Sequence, residues 1–286
     1  MRRFWLMNGN NEKIEMTGEN ILFNEASGLG YTSSEEYRRV GHRYIRYSQY
    51  YEQGSVTGSL IFYSEDPYKQ YFDFIQSTSI GGLSLYYQPI EDSEYIFSRP
   101  VHLSSIDKGE LDNSYGYLST SITFSARTPW ARSYSITSPK ADTSKGWIWA
   151  DSDQGVFPVT FGYTQAMNVS LYSKGTLESP CCLTIFGPIT NPKWTHYSGS
   201  TIISTGKVTC SIKSDEKLVI DNRDDELKIQ IKNLYDTVLS DVYQNSDFTT
   251  DRFITLKPGN NTIAVSGDST ESVELMLDAE VWYASV

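Results

Sequence analysis

The stretch from Glu65 to Ser77 constrains the fold of this chain more than any other. Its apolar residues Tyr68, Tyr71, Phe72 and Ile75 fall at i, i+3, i+4 and i+7, which places them on one face of a helix. Pro67 stands early, where a missing N–H costs nothing, and Glu65 or Asp66 can cap the free amides. Phe74 widens the apolar face, while Lys69, Gln70, Asp73 and Gln76 are expected in solvent. So aromatic a helix needs a sheet to lie on, and strand-like runs flank it on both sides. The expected fold class is therefore mostly β. Two β-sandwich domains are expected, the N-terminal one with a single α-helix packed on its sheet.

Before the helix, Phe4–Met7, Lys13–Thr17, Ile21–Phe23 and Ser55–Tyr63 read as strands, with Asn8-Gly9-Asn10-Asn11 as a turn. After it come Leu83–Tyr87, Tyr95–Ser105 and Tyr115–Phe124. Composition shifts at Ser133 to Lys145, rich in Ser, Thr, Pro and Lys, which is expected to cross between domains. The boundaries follow: 1–132 for the N-terminal domain and 133–286 for the C-terminal one. The second half offers Trp147–Trp149, Phe157–Phe161, Asn168–Leu171, Cys182–Phe186, Thr201–Thr205, Val208–Ile212, Leu218–Ile220, Leu227–Ile231, Asn261–Val265 and Val273–Trp282. Their spacing near ~10 residues suits a sandwich or jelly roll. Asn233 to Tyr243 is ambiguous, since Leu234, Val238 and Val242 also fit a helical stripe.

Charge removes some function classes. The net charge is −11, from 24 basic and 35 acidic residues, which disfavours nucleic acid and anionic membranes as partners. No run approaches the ~18 apolar residues of a membrane span, and the N-terminus lacks the apolar core of a signal peptide. The three cysteines, with Cys181 and Cys182 adjacent, form neither a disulfide framework nor a zinc motif. Buried thiols and synthesis in a reducing cytoplasm are the expectation.

The residues offer little catalytic chemistry. His42, His102 and His196 lie in separate segments without metal-ligand spacing, and no G-x-S-x-G elbow is present. Gly28-Leu29-Gly30 lacks the third glycine of a dinucleotide loop. Glu91, Asp92 and Glu94 form one acidic cluster, and Asp221, Asp224 and Asp225 another. Both are expected as solvated turns rather than a glycosidase pair. The second, a weaker candidate for calcium, lacks the spacing and glycine of a dedicated loop. Asn168-Val-Ser and Asn260-Asn-Thr match a glycosylation pattern that has no meaning without secretion. No catalytic residue, cofactor or metal is expected, and the chain is not expected to be an enzyme.

Aromatic residues are the positive signal, at 14% of the chain with 21 tyrosines. Trp147, Trp149 and Trp194 either stack on sugar rings or fill a core. Tyr37, Tyr44, Tyr47, Tyr50 and Tyr51 alternate with Arg38, Arg39, Arg43 and Arg46 in a segment expected to be an exposed interface arm. Tyr and Arg are the types enriched at the centres of interfaces. A locally basic arm on an acidic chain suits docking against a neighbouring copy.

The order of these pieces resembles a known family. A Phe4-Trp-Leu-Met-Asn-Gly9 strand and turn is followed by Gly58-Ser-Leu-Ile-Phe62 and the aromatic helix. Then come Leu83-Ser-Leu-Tyr-Tyr87, Lys108-Gly-Glu110 and Ser125-Ala-Arg-Thr-Pro-Trp130. In the second half stand Ile185-Phe-Gly-Pro-Ile-Thr-Asn-Pro192, Glu216-Lys-Leu-Val-Ile-Asp221 and Phe253-Ile-Thr-Leu-Lys-Pro-Gly-Asn-Asn-Thr-Ile263. This succession resembles the distal tail (Dit) proteins of long, non-contractile phage tails. The resemblance implies a galectin-like C-terminal domain and an N-terminal domain closing a six-fold ring. It implies as partners other copies of the chain (a homohexamer), the tail tube protein, the tail-tip or tail-fibre hub protein and a receptor-binding protein. The protein would be made in the host bacterial cytoplasm and reside in the virion at the tail tip or baseplate. An acidic bore would let DNA pass without sticking. The alternative is a carbohydrate-binding module recognising a cell-wall glycan.

Overall fold

The computed structural model describes residues 2–112, 115–138, 167–223, 227–268 and 273–286. They form two compact units, Met1–Arg132 with Trp282–Val286 and Ser133–Val281. The last five residues thus join the N-terminal unit rather than the domain expected to run to 286. Tyr283 packs edge-on against Phe97 at 5.1 Å, and the Val286 amide donates to the Leu29 carbonyl.

The N-terminal unit is a β-sandwich. One sheet joins β1 (Arg3–Met7), β2 (Lys13–Glu15), β7 (Ser84–Gln88) and the first half of β8 (Phe97–Ile106). The other joins β3 (Ile21–Ser27), β6 (Ser55–Phe62), β9 (Leu111–Asp112), β10 (Tyr117–Ala126) and the second half of β8. Strand β8 therefore switches sheets, with a register shift where it meets β10. Burial alternates along β1 and β10, and their inward residues meet in one core that includes Phe4, Leu6, Leu60, Phe62, Leu118 and Phe124. Two further strands, β4 (Ser33–Val40) and β5 (Arg43–Tyr51), pair only with each other.

The helix α1 (Pro67–Ser79) forms as its sequence dictates. Asp66 caps it, its carboxylate accepting the Lys69 amide at 3.0 Å, with Pro67 in the first turn. Its buried face is Pro67, Tyr71, Phe74 and Thr78, and Phe62 of β6 meets both Tyr71 and Phe74 edge-on. Phe72, expected in that stripe, is 60% exposed. The apolar face is centred one residue round the helix, on Phe74.

Strand β11 (Trp130–Ser138) occupies the start of the expected crossover, so Ser133–Ser138 is strand rather than linker. In the C-terminal unit one sheet contains β12 (Met167–Ser173), β15 (Lys193–Ser198), β16 (Thr201–Lys207) and β22 (Gly259–Ser266), in the order β12-β22-β15-β16. The facing set runs β23 (Leu275–Tyr283), β13 (Ser179–Phe186), β18 (Glu216–Asp221), β19 (Lys228–Asn233) and β20 (Val238–Asp241). Short pieces complete it: β14 (Ile189–Thr190) pairs with β17 (Ser211–Ile212), and β21 (Thr255–Leu256) with β13. The ambiguous stretch after Asn233 is a turn into β20, not a helix, and ends in a 3-10 turn at Tyr243–Asn245. Cys181 and Cys182 are buried and Cys210 half-buried, all as free thiols.

One motif of this unit has a clear physical cause. The buried Asn261 side chain accepts the Lys257 amide at 2.8 Å and donates to the Lys257 and Gly259 carbonyls at 2.7 and 2.9 Å. It closes the Leu256-Lys-Pro-Gly turn, in which Gly259 has a φ of 96° that other residues resist.

Candidate functional site

The expected interface arm is a two-stranded hairpin. Gly41 and His42 form its two-residue turn, since Val40 pairs directly with Arg43, and Gly41 supplies a φ of 62°. The register shifts between Glu36 and Tyr37, leaving Tyr47 as the extra residue of a bulge.

The pairing sorts the side chains onto two faces. Glu35, Tyr37, Arg39, Tyr44, Arg46 and Tyr51 share one, while Glu36, Arg38, Val40, Arg43, Ile45 and Tyr50 share the other. Every arginine of the hairpin is exposed, as are all five tyrosines, with Tyr47 at 77% and Tyr44 at 69%. Val40 and Ile45 are exposed too. Large rings on a hairpin that buries neither face form an unusually adhesive surface. Its acidic and basic ends differ. Glu35 accepts the Tyr37 hydroxyl and pairs with Arg46 at 3.1 Å, so these two neighbours hold its carboxyl below the usual carboxylate range. From Tyr37 to Arg46 there are four arginines and no acid.

The expected sugar-stacking residues fare differently. Trp194 is fully buried in β15, against Gly206 of β16, so its ring is core and not available for stacking. Trp147 and Trp149 lie outside the described residues. Of the acidic turn, Asp221 is bound by Arg223 at 2.9 Å. Burial works to raise its pKa, but the Arg223 hydrogen bonds and charge hold it below its ordinary value. Asp224 and Asp225 lie outside the described residues. No group of three metal-ligating side chains comes together among the described residues, nor is any described helix long and apolar enough to cross a membrane.

Comparison with known proteins identifies the scaffold that carries this hairpin. Residues 3–127 match the distal tail protein, N-terminal domain. The N-terminal unit is therefore similar to the N-terminal domain of the phage distal tail proteins. Over its whole length the chain has the fold of a chain of the phage P2 baseplate in its activated conformation, at 14% identity and a TM-score of 0.64, with both chains covered completely. It likewise has the fold of the SPP1 Dit protein, described as a paradigm of the hub adsorption apparatus in phages of Gram-positive bacteria. There the identity is 10% and the TM-score 0.62, covering 97% of this chain and 98% of that one. No curated protein matches the chain by sequence.

Sequence reading found the hairpin residues but not the hairpin. The signal was Val40-Gly41-His42-Arg43, a glycine at the first position of a two-residue turn between alternating runs.

Proposed function

We propose that six copies of this chain close into a ring that forms the distal hub of a phage tail. The ring would join the tail tube to the tail-tip or tail-fibre hub and leave the C-terminal unit for a receptor-binding protein. The N-terminal unit would make the ring contacts, and the activity is structural, without catalysis. The observation that carries this reading is the exposed Tyr/Arg hairpin on a unit similar to the N-terminal domain of the distal tail proteins. A ring built from head-to-tail contacts needs two different faces per subunit, and closure satisfies both. A two-stranded hairpin is marginal by itself, so a neighbour that covers it stabilises both the hairpin and the ring.

The test is the molar mass of the purified chain by light scattering across a concentration series. The ring reading expects a species near six times 32.4 kDa. A strict monomer at every concentration, together with no growth of mass when tail tube protein is added, would overturn it.

A further inference from the structure

Strand β8 turns a charge inward. Its first half alternates, so Phe97, Arg99 and Val101 share the buried face, and Arg99 is only 4% exposed. Arginine is almost never buried to that degree unless an acid pairs with it. No acid does so here. The one hydrogen bond of the side chain among the described residues runs from Nη2 to the Thr128 carbonyl at 2.9 Å, and that acceptor is neutral. Burial lowers the Arg99 pKa to about 10, with no contribution from a neighbouring charge, so the guanidinium is still charged at neutral pH. A charge taken out of water without a counter-charge works against the fold that holds it.

The surroundings hold the group ready for an anion. The guanidinium sits over the Trp130 ring, with Cζ 5.1 Å from its centre, a contact that uses none of the N–H donors. Nε is buried without a hydrogen-bond partner among the described residues. With one Nη2 hydrogen on Thr128, a complete two-pronged edge remains for a second acceptor. Gly54 leaves room for it, since a Cβ there would stand 2.3 Å from Nη2 and 3.1 Å from Nη1. That glycine is half-buried between exposed Gln53 and exposed Ser55. Glu52, the nearest acid in sequence, is turned onto the Ser34 hydroxyl. Arg127 follows the residue whose amide donates to the Gly54 carbonyl, and it is exposed. We infer that Arg99 receives a carboxylate, which enters the N-terminal unit beside Gly54 and takes the free edge of the guanidinium. Two carboxylate oxygens match the fork, and one negative charge cancels that of the arginine. A small free carboxylate and an acidic side chain of a neighbouring protein share this chemistry. The site does not depend on the ring, because all of its residues lie in the N-terminal unit.

The test is the thermal midpoint of the full chain as sodium formate replaces sodium chloride at constant ionic strength. The parent midpoint should rise and then saturate. Arg99→Met keeps an apolar stem over Trp130 and removes the charge. It should match or exceed the parent midpoint in chloride and ignore formate. Arg99→Lys keeps a charge without the fork, and should need about tenfold more formate for the same rise. Gly54→Ala should blunt the response in the same direction. Glutamate capped at both ends, as N-acetylglutamate methylamide, separates the sources. A rise with formate alone assigns a small free anion, and a rise with both assigns a side chain. The inference is overturned if formate acts on the parent no more than chloride does, or if Arg99→Met responds as the parent does. Inorganic phosphate acting more strongly than formate at equal concentration would overturn the carboxylate. An Arg99→Met midpoint well below the parent's in chloride would also sink the inference, because the Trp130 contact and the Thr128 bond would then suffice to keep the charge buried.

Discussion

Two stretches of this chain interleave aromatic and basic residues, and the fold treats them in opposite ways. In β4–β5 the rings of Tyr37, Tyr44, Tyr47, Tyr50 and Tyr51 face solvent, whereas in β15 Trp194 and His196 are completely buried. The residue types do not explain the contrast, since both stretches alternate polar and aromatic positions as strands do. Neighbours explain it. Strand β15 is flanked by β22 and β16, so every second side chain points into the sandwich. The hairpin strands pair only with each other, and a lone pair of strands has no inner face to hide a ring. A buried ring stabilises the chain that holds it, whereas an exposed ring can be covered only by another chain.

The largest effect expected from this contrast is at Trp194. Truncation to alanine should cost about 3–5 kcal/mol, the range for deleting a fully buried aromatic, read as a lowered denaturant midpoint of the C-terminal unit. A loss under about 1 kcal/mol would mean that the ring is not held in the core, and the sugar-stacking alternative would regain its best residue. Gly206→Ala tests the same packing from the other strand. A Cβ there would lie 2.2 Å from the Trp194 ring, and overpacking of this kind costs about 1–3 kcal/mol. Paired with Trp194→Ala, the glycine substitution should become nearly neutral, because the clash disappears with the ring.

These residues also show how far the sequence could be read. The helix was legible because its stripe, its proline and its capping aspartate all agree on one segment. Its end shifted because Thr78 and Ser79 bond back to the Phe74 and Gln76 carbonyls and carry the helix two residues beyond Ser77. Strand β15 was missed because a buried histidine reads as polar, which leaves Trp194 looking isolated. Strand β20 was missed because all four of its residues are exposed, so no alternation marks it. The hairpin residues were legible as adhesive types, but the surroundings of α1 were not. Gln70 and Asp73 fall on the side of α1 expected in solvent, and only the fold brings β2 and β3 beside them.

His196 Nε2 lies 2.9 Å from Asn261 Oδ1, and the Asn261 amide nitrogen is committed to two carbonyls, so the histidine donates. Its Nδ1 is then the unprotonated nitrogen, buried without a partner among the described residues. Burial lowers the His196 pKa, outweighing the Asn261 hydrogen bond, and the Lys257 charge adds to the lowering. The unfolded chain, with an ordinary histidine near 6.5, takes up the proton first as the pH falls. Stability is therefore full above that value and declines below it, until the folded-state pKa is passed. His196→Gln should flatten the pH dependence of the urea midpoint below about pH 6.5. An unchanged slope would assign the acid response to other groups.

Tyr47→Ala is the smallest expected change in the folded chain and the sharpest test of the contrast. The ring stands on a bulge at 77% exposure, so its loss should move the midpoint by no more than about 0.5 kcal/mol. Its effect belongs between chains, where a truncated interfacial tyrosine can cost about 2 kcal/mol or more of association. Molar mass should fall at a concentration where the parent is assembled, with the melting of the dilute chain unchanged. If stability drops as it does for Trp194→Ala, the hairpin is packed within its own chain and is not a free arm. If neither stability nor mass responds, the hairpin's tyrosines are not what holds copies together. Association would then rest on its arginines alone and should vanish in high salt, because charge without a covered ring is screened over about 8 Å at physiological ionic strength.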